Sequence, residues 1–337
     1  MENVASGQTK SRSRQWRDWT EDFDQNPGPE APRTEQSHKH SSERLPQPRA
    51  LVELTKPITW FPPVWAYGCG LVASGASLTT ILDQRGVAAF LGLVLAGPAV
   101  CGTSQIVNDW FDRHVDAINE PDRPIPSGRV PGNWGLYWAL TWIALSMALA
   151  VAIGGFAIPA AIFGLICAWV YSAPPFRFKR SGWLGPATVA ACYEGLPWLT
   201  AAAIVLGQVP DAIMWAIAVL YSIGAHGIMT LNDFKAVTGD RMMGVRSLPA
   251  TLGVRAASYW SAGVMSVSQL CVVALLFSEG FVWAPSLITL SVLGQFPLMH
   301  KLFKDPVRLA PWYSMWGVGL YVLGMMMSAL ALGGYIA

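Results

Sequence analysis

The sequence predicts an all-α polytopic membrane protein with nine transmembrane helices, and three observations predict the helices. Hydrophobic residues make up 53% of the 337 and charged residues only 13%, about half the roughly 25% of a soluble domain. Charge-free apolar stretches recur at the length of about 20 residues that a bilayer crossing needs. Once those stretches are threaded through a membrane, 22 of the 23 Lys and Arg fall on one side. The net charge of +2 carries no nucleic-acid signal.

Residues 1–50 are polar and lack a sustained apolar period, which predicts a disordered or membrane-surface tail. The membrane domain is expected over 51–337. Its charge-free stretches are Ile58–Leu82, Gly86–Asn108, Val130–Phe176, Ala212–Asn232, Ala256–Ser278, Gly280–His300 and Leu309–Ala337, and Ser181–Gln208 is broken only by Glu194. Val130–Phe176 is long enough for two helices, with Gly154-Gly155 at the turn. Placing Asp83–Gly86 outside leaves Arg85 as the one external cation. By the positive-inside rule the N-terminus is cytoplasmic and the C-terminus lies on the opposite side. The five cysteines lie in apolar spans at no metal-ligand spacing and are expected to be packing residues without disulfides.

The polar residues that remain are few and patterned. Asp109, Asp112 and Asp116 are spaced i, i+3, i+7, which gathers them within about 60° of one helix face. Stacked carboxylates repel unless a cation lies between them. Oxygen ligands of this kind suit Mg²⁺, which shares its shell with substrate phosphate. Asn108 precedes this cluster, and Asn232 precedes a second, Asp233 and Asp240, in which Ala236 takes the middle place. Both clusters lead to Arg-x-(Ile/Leu)-Pro, at Arg123 and Arg246, so two four-helix halves share an order of motifs. The two clusters are expected to form a two-metal clamp.

Arg177 and Lys179 alternate with Phe176 and Phe178, so an extended segment would point both cations one way. With Arg123, Lys235 and Arg246 they are expected to grip diphosphate oxygens. Glu194 and His226 lie inside spans, where a polar group is costly and functional by default. Both are expected to line the acceptor cavity. A cation-coupled transporter would place its acids near mid-bilayer. Here they lie at cytoplasmic helix ends among bases, which favours an enzyme.

Asn108–Asp116 and Asp233–Asp240 resemble the two Asp-rich motifs of the intramembrane aromatic prenyltransferases. Lys56-Pro57-Ile58-Thr59-Trp60, Asp116–Gly128, Tyr171-Ser172-Ala173-Pro174-Pro175, Asn232-Asp233-Phe234-Lys235 and Tyr193–Trp198 are similar to the (bacterio)chlorophyll synthase branch. Thr238 departs from it, standing where an acidic residue is expected. The resemblance implies that the nine helices surround a central cavity, with Mg²⁺ held by Asp109, Asp112, Asp116, Asp233 and Asp240. It implies substrate contacts from Asn108, Tyr171, Arg123, Arg177, Lys179, Asn232, Lys235, Arg246, Glu194 and His226. The donor implied is geranylgeranyl or phytyl diphosphate, and the acceptor is the propionate of bacteriochlorophyllide, with chlorophyllide, haem or a quinone precursor as alternatives. The expected location is the bacterial inner or photosynthetic membrane, with other pigment-pathway membrane proteins as candidate partners.

Overall fold

Where charge-free stretches alternate with basic loops, helices form. The computed structural model describes residues 45–76 and 84–336. The tail expected over 1–50 lies outside the described residues as far as position 44, as do the end of the first apolar stretch at Leu82 and the start of the expected external loop at Asp83. A short helix, α1 (Pro48–Leu54), spans the boundary expected at residue 51. It buries Ala50 and Leu54 against Ile106, Val107, Val130 and Ala139.

The helices that follow are α2 (Phe61–Ala73), α3 (Gln84–Val94), α4 (Gly102–Asn119), α5 (Trp134–Ile153), α6 (Ala157–Ser172), α7 (Leu184–Ala190), α8 (Leu196–Leu206) and α9 (Ala212–Asn232). After them come α10 (Val237–Met242), α11 (Leu248–Thr251), α12 (Val254–Ser278), α13 (Trp283–Leu302) and α14 (Pro306–Leu332). Among the described residues, six helical runs are long and apolar enough to cross a membrane: Arg85–Asn119, Trp134–Ile153, Leu184–Leu206, Ala212–Met242, Val254–Ser278 and Pro306–Leu332. The apolar α6 is shorter. Gly154 and Gly155 turn the chain between α5 and α6 with φ of 78° and 51°, values that cost glycine little.

Two rods are interrupted by π turns, and a proline explains each. Pro98 lies inside the π segment Leu95–Cys101, between α3 and α4. Pro197 follows the π segment Ala191–Gly195, between α7 and α8. Proline has no N–H and its ring crowds the carbonyl four residues back, so the helix widens there. The Trp142 indole donates to the Pro98 carbonyl at 2.8 Å and so satisfies a group at the interrupted turn.

The Asp-bearing segments are helical rather than loops. α4 runs about three turns past Asn108 and carries Asp109, Asp112 and Asp116 along its length. Asp233 opens a 3₁₀ turn, Asp233–Ala236, and Asp240 lies on α10. The largest core joins α2, α8, α9 and α12 to α14, with Trp198, Tyr221, Tyr313 and Tyr321 fully buried.

Close packing of α2 on α8 depends on Gly70, because a Cβ there would overlap the Trp198 carbonyl, whereas Gly68 faces open space. Gly70→Ala is therefore expected to destabilise the bundle by about 1–3 kcal/mol. Gly68→Ala should leave it unchanged or gain up to about 1 kcal/mol of helix propensity. Thermal midpoints in one detergent distinguish the two, and equal midpoints would contradict the close approach.

Candidate active site at the mouth of a central cavity

Helices α4, α6, α7 and α9 enclose a cavity of about 420 Å³. Ile58, Pro62, Ala96, Val100, Ala168, Val189 and Met229 supply apolar wall, and Ser104, Gln105, Asn108, Tyr171, Lys179, Tyr193, Asn232, Asp233 and Ser247 supply polar groups. The π turns deliver Cys101, Cys192 and Tyr193 to this wall. Tyr193 Oη accepts from Gln105 Nε2 at 3.1 Å, which fixes both side chains.

Two loops are tied to each other at the mouth. Arg177 adopts φ 42°, and Phe178–Arg180 form a 3₁₀ turn, so the extended segment expected here is replaced by a bend. Arg246 N donates to Arg180 O at 3.0 Å and Gly182 N donates to Arg246 O at 2.8 Å. A Cβ at Gly182 would lie 2.5 Å from Leu248 N and 2.7 Å from Arg246 O. Only glycine fits where the two strands of loop meet.

The carboxylates divide into two sets. Asp112 Oδ1 accepts from Lys179 Nζ at 2.5 Å and Oδ2 from Asn108 Nδ2 at 3.1 Å. Asn108 Nδ2 also reaches Ser172 Oγ at 3.4 Å, which leaves the Asn108 carbonyl oxygen as its free acceptor. Asp233 lines the cavity and has no ion pair among the described residues. Asp240 accepts from Ser247 Oγ at 2.5 Å, and Ser247 in turn lines the cavity.

Asp109 and Asp116 belong to a separate network. Lys56 Nζ bonds Asp109 Oδ1 at 2.6 Å. Arg123 Nη1 lies 2.8 Å from Asp116 and 3.4 Å from Asp109, while its other edge grips Glu120. Asp109 is 2% exposed and its Oδ2 has no hydrogen-bond partner among the described residues. Burial pulls the Lys179 amine below its ordinary range, and the Asp112 carboxylate works against that pull.

Several expected site residues lie elsewhere. Glu194 is buried but absent from the cavity lining, because Cys192 and Tyr193 take the inward face of that turn. His226 packs against Trp183 and Trp260, and its Nδ1 accepts from Trp260 Nε1 at 3.3 Å. The cavity side of α9 is left to Met229 and Asn232, with Asp233 just beyond its end. Lys235 and Arg246 are exposed. Arg177 is half-buried with Nε unpartnered among the described residues. Lys56, Tyr193 and the cavity cysteines Cys101, Cys167 and Cys192 were not marked out by motif spacing, although Lys56 stands in the string before the first span.

Residues 61–330 match the UbiA prenyltransferase family. The chain belongs to this family. It is 52% identical over 290 residues to the bacteriochlorophyll synthase 33 kDa chain of Cereibacter sphaeroides, covering 86% of this chain and 95% of that one. It is 48% identical to the chain of the same name from Rhodobacter capsulatus, covering 88% and 97%. A UbiA homolog from Archaeoglobus fulgidus, solved bound to DMAPP and Mg²⁺, shares the fold with a TM-score of 0.65 at 20% identity, over 85% of this chain and 99% of that one.

The residues at the mouth fit Mg²⁺ in kind. Asn108, Asn232 and Asp233 bring hard oxygens to one cavity, Asp112 adjoins it through Asn108 and Lys179, and Asp233 lacks a counter-ion among the described residues. No group of three His, Cys, Asp or Glu is already assembled for a metal among the described residues.

The Arg123 network is a partly buried arrangement whose disruption strands Asp116 and leaves Asp109 with Lys56 alone. Arg123→Gln is expected to cost about 3 kcal/mol of stability. Arg129→Gln removes an exposed bridge to Glu53 with bonds to Ser127 Oγ and the Asp122 carbonyl, and should cost no more than about 1 kcal/mol. Denaturant titrations in mild detergent read both, and equal losses would show that the network adds nothing beyond a surface pair.

Proposed function

We propose that the protein transfers a geranylgeranyl or phytyl group from its diphosphate to the propionate carboxylate of bacteriochlorophyllide, in the bacterial inner or photosynthetic membrane. The observation that carries this reading is near-full-length identity of 52% and 48% to two bacteriochlorophyll synthase chains. The cavity supports it by placing a polar mouth over an apolar interior. On this reading nine helices cross the bilayer and the mouth opens to the cytoplasmic side.

Asn108, Asp112, Asn232 and Asp233 would hold Mg²⁺, with Asp240 reached through Ser247. When bound, Mg²⁺ supplies Lewis-acid stabilisation to a departing diphosphate. Asp109 and Asp116 act one step back: they anchor Lys56 and Arg123 and so keep basic groups beside the mouth. Lys179, with Arg177 behind it, binds diphosphate oxygens. The C–O bond to diphosphate breaks with its electron pair on the leaving group, and the pigment carboxylate forms the new C–O bond. An ionised carboxylate is already a nucleophile, so no protein base is required. The apolar wall keeps water from capturing the allylic cation, and the rings of Tyr171 and Tyr193 offer it π faces.

Membranes containing the protein, given labelled geranylgeranyl diphosphate with bacteriochlorophyllide, haem and 4-hydroxybenzoate together, are expected to label only the bacteriochlorophyllide. Chelator should abolish turnover and Mg²⁺ restore it. Asp233→Ala should lower the rate at least about a hundredfold, as loss of several kcal/mol of leaving-group stabilisation requires. Label on haem or on the benzoate ring would contradict the acceptor, and full turnover in chelator would contradict the metal.

A further inference from the structure

Cys101, Cys167 and Cys192 line the central cavity with free thiols, and the reaction proposed above uses none of them. Cys101 is engaged elsewhere: its Sγ lies 3.4 Å from both Thr59 O and Tyr193 Oη. Cys167 and Cys192 are half-buried and interact directly with each other.

Their meeting follows from helix register. α6 runs towards the mouth and the π turn Ala191–Gly195 runs away from it, so facing residues rise in number on one side and fall on the other. Gly164 lies one turn before Cys167, and Leu196 lies one turn after Cys192. A Cβ on Gly164 would come 3.4 Å from Leu196 Cδ2 and 2.8 Å from Val100 Cγ1. The absent side chain therefore lets the two segments approach one turn below the thiols. Nearer the mouth, Ala168 and Tyr171 of α6 and Val189 of α7 line the cavity on the same two faces.

We propose that Cys167 and Cys192 form a paired-thiol modification site, which a small uncharged disulfide entering the cavity converts to a Cys167–Cys192 disulfide. The conversion is two exchanges. One cysteine sulfur, its proton lost to water at the mouth, attacks the incoming S–S bond, which breaks with its electron pair on the departing sulfur. The second cysteine sulfur attacks the mixed disulfide, the Cys167–Cys192 bond forms, and the second sulfur departs. The pair is oxidised by two electrons, the reagent is reduced to two thiols that take up the two protons, and excess thiol reverses both steps. A disulfide requires Cα atoms only about 4.4–6.8 Å apart, and small residues at 164 and 168 suit that approach.

Resting on the function proposed above, the oxidised pair stops prenyl transfer. The bond draws α6 and the π turn together across a cavity of about 420 Å³, already low in the range of roughly 300–1,000 Å³ for one drug-sized ligand. It pulls on Tyr193, which Gln105 holds from the other wall. It also closes a ring that contains Tyr171, Arg177 and Lys179, so the diphosphate-binding loop loses freedom.

The test treats the full chain in membranes with Mg²⁺ and 4,4′-dithiodipyridine. Remaining thiols are alkylated, and unreduced peptides are mapped by mass spectrometry. A linked Cys167–Cys192 pair is expected, with esterification of bacteriochlorophyllide lowered at least about tenfold and restored by dithiothreitol. Geranylgeranyl diphosphate added first should slow formation of the pair at least about fivefold. Cys167→Ser, compared with its own untreated rate, should keep at least about half of it. Absence of the linked pair, a linked pair with unchanged turnover, no protection by the donor, or equal loss in Cys167→Ser would overturn the inference. Untreated membranes that esterify no bacteriochlorophyllide would instead count against the proposed function, and the linked pair and its protection would still decide whether the site exists.

Discussion

Carboxylates gathered at the end of an apolar bundle must be neutralised, and much of the mouth of this protein follows from how that is done. An uncompensated buried charge costs several kcal/mol. Asp109 and Asp116 meet the constraint with Lys56 and Arg123. These ion pairs draw in the segment before α2 and the loop after α4. Arg123 is doubly committed, its second edge held by Glu120. The neighbouring loop is held as well: Gln47 N donates to Arg129 O at 3.0 Å, and the Arg129 side chain reaches Glu53. The burial of Asp109 is thus tied to the placement of three segments far apart in sequence.

Against that ballast, Asp112 and Asp233 are differently placed. Asp112 is held by one lysine and one amide from groups that line the cavity, and Asp233 lacks an ion pair among the described residues. A site meant to take a cation and an anion together needs carboxylates that are oriented but not fully paired. On the proposed function, Lys179 would serve both sides of this exchange. While it neutralises Asp112, burial disfavours its own charge, and incoming diphosphate oxygens would offer it a stronger partner.

Much of this was legible in the sequence because it rests on local rules. Charge-free stretches marked the helices, Gly154-Gly155 marked a turn, and the spacing of Asp109, Asp112 and Asp116 placed three acids along one helix. Their division into two roles was not legible, since it depends on Lys56, Arg123 and Lys179 arriving from other segments. Glu194 and His226 lie off the cavity lining. Each was read from its cost in a span, but helical phase decides which way a side chain points. The π turn at Ala191–Gly195 gives the inward positions to Cys192 and Tyr193. A tryptophan on α12, distant in sequence, claims His226. The 3₁₀ bend at Phe178–Arg180 likewise depends on the Arg246 backbone across the mouth.

The most direct test of the division of labour among the carboxylates is a structure of the protein with Mn²⁺ in place of Mg²⁺ and a non-transferable prenyl diphosphate, recorded for anomalous scattering. The expected signal lies among Asn108, Asp112 and Asp233, with Lys179 turned from Asp112 towards the diphosphate and Asp109 and Asp116 still bound to Lys56 and Arg123. Manganese bound instead by Asp109 and Asp116, with Lys56 and Arg123 displaced, would contradict it.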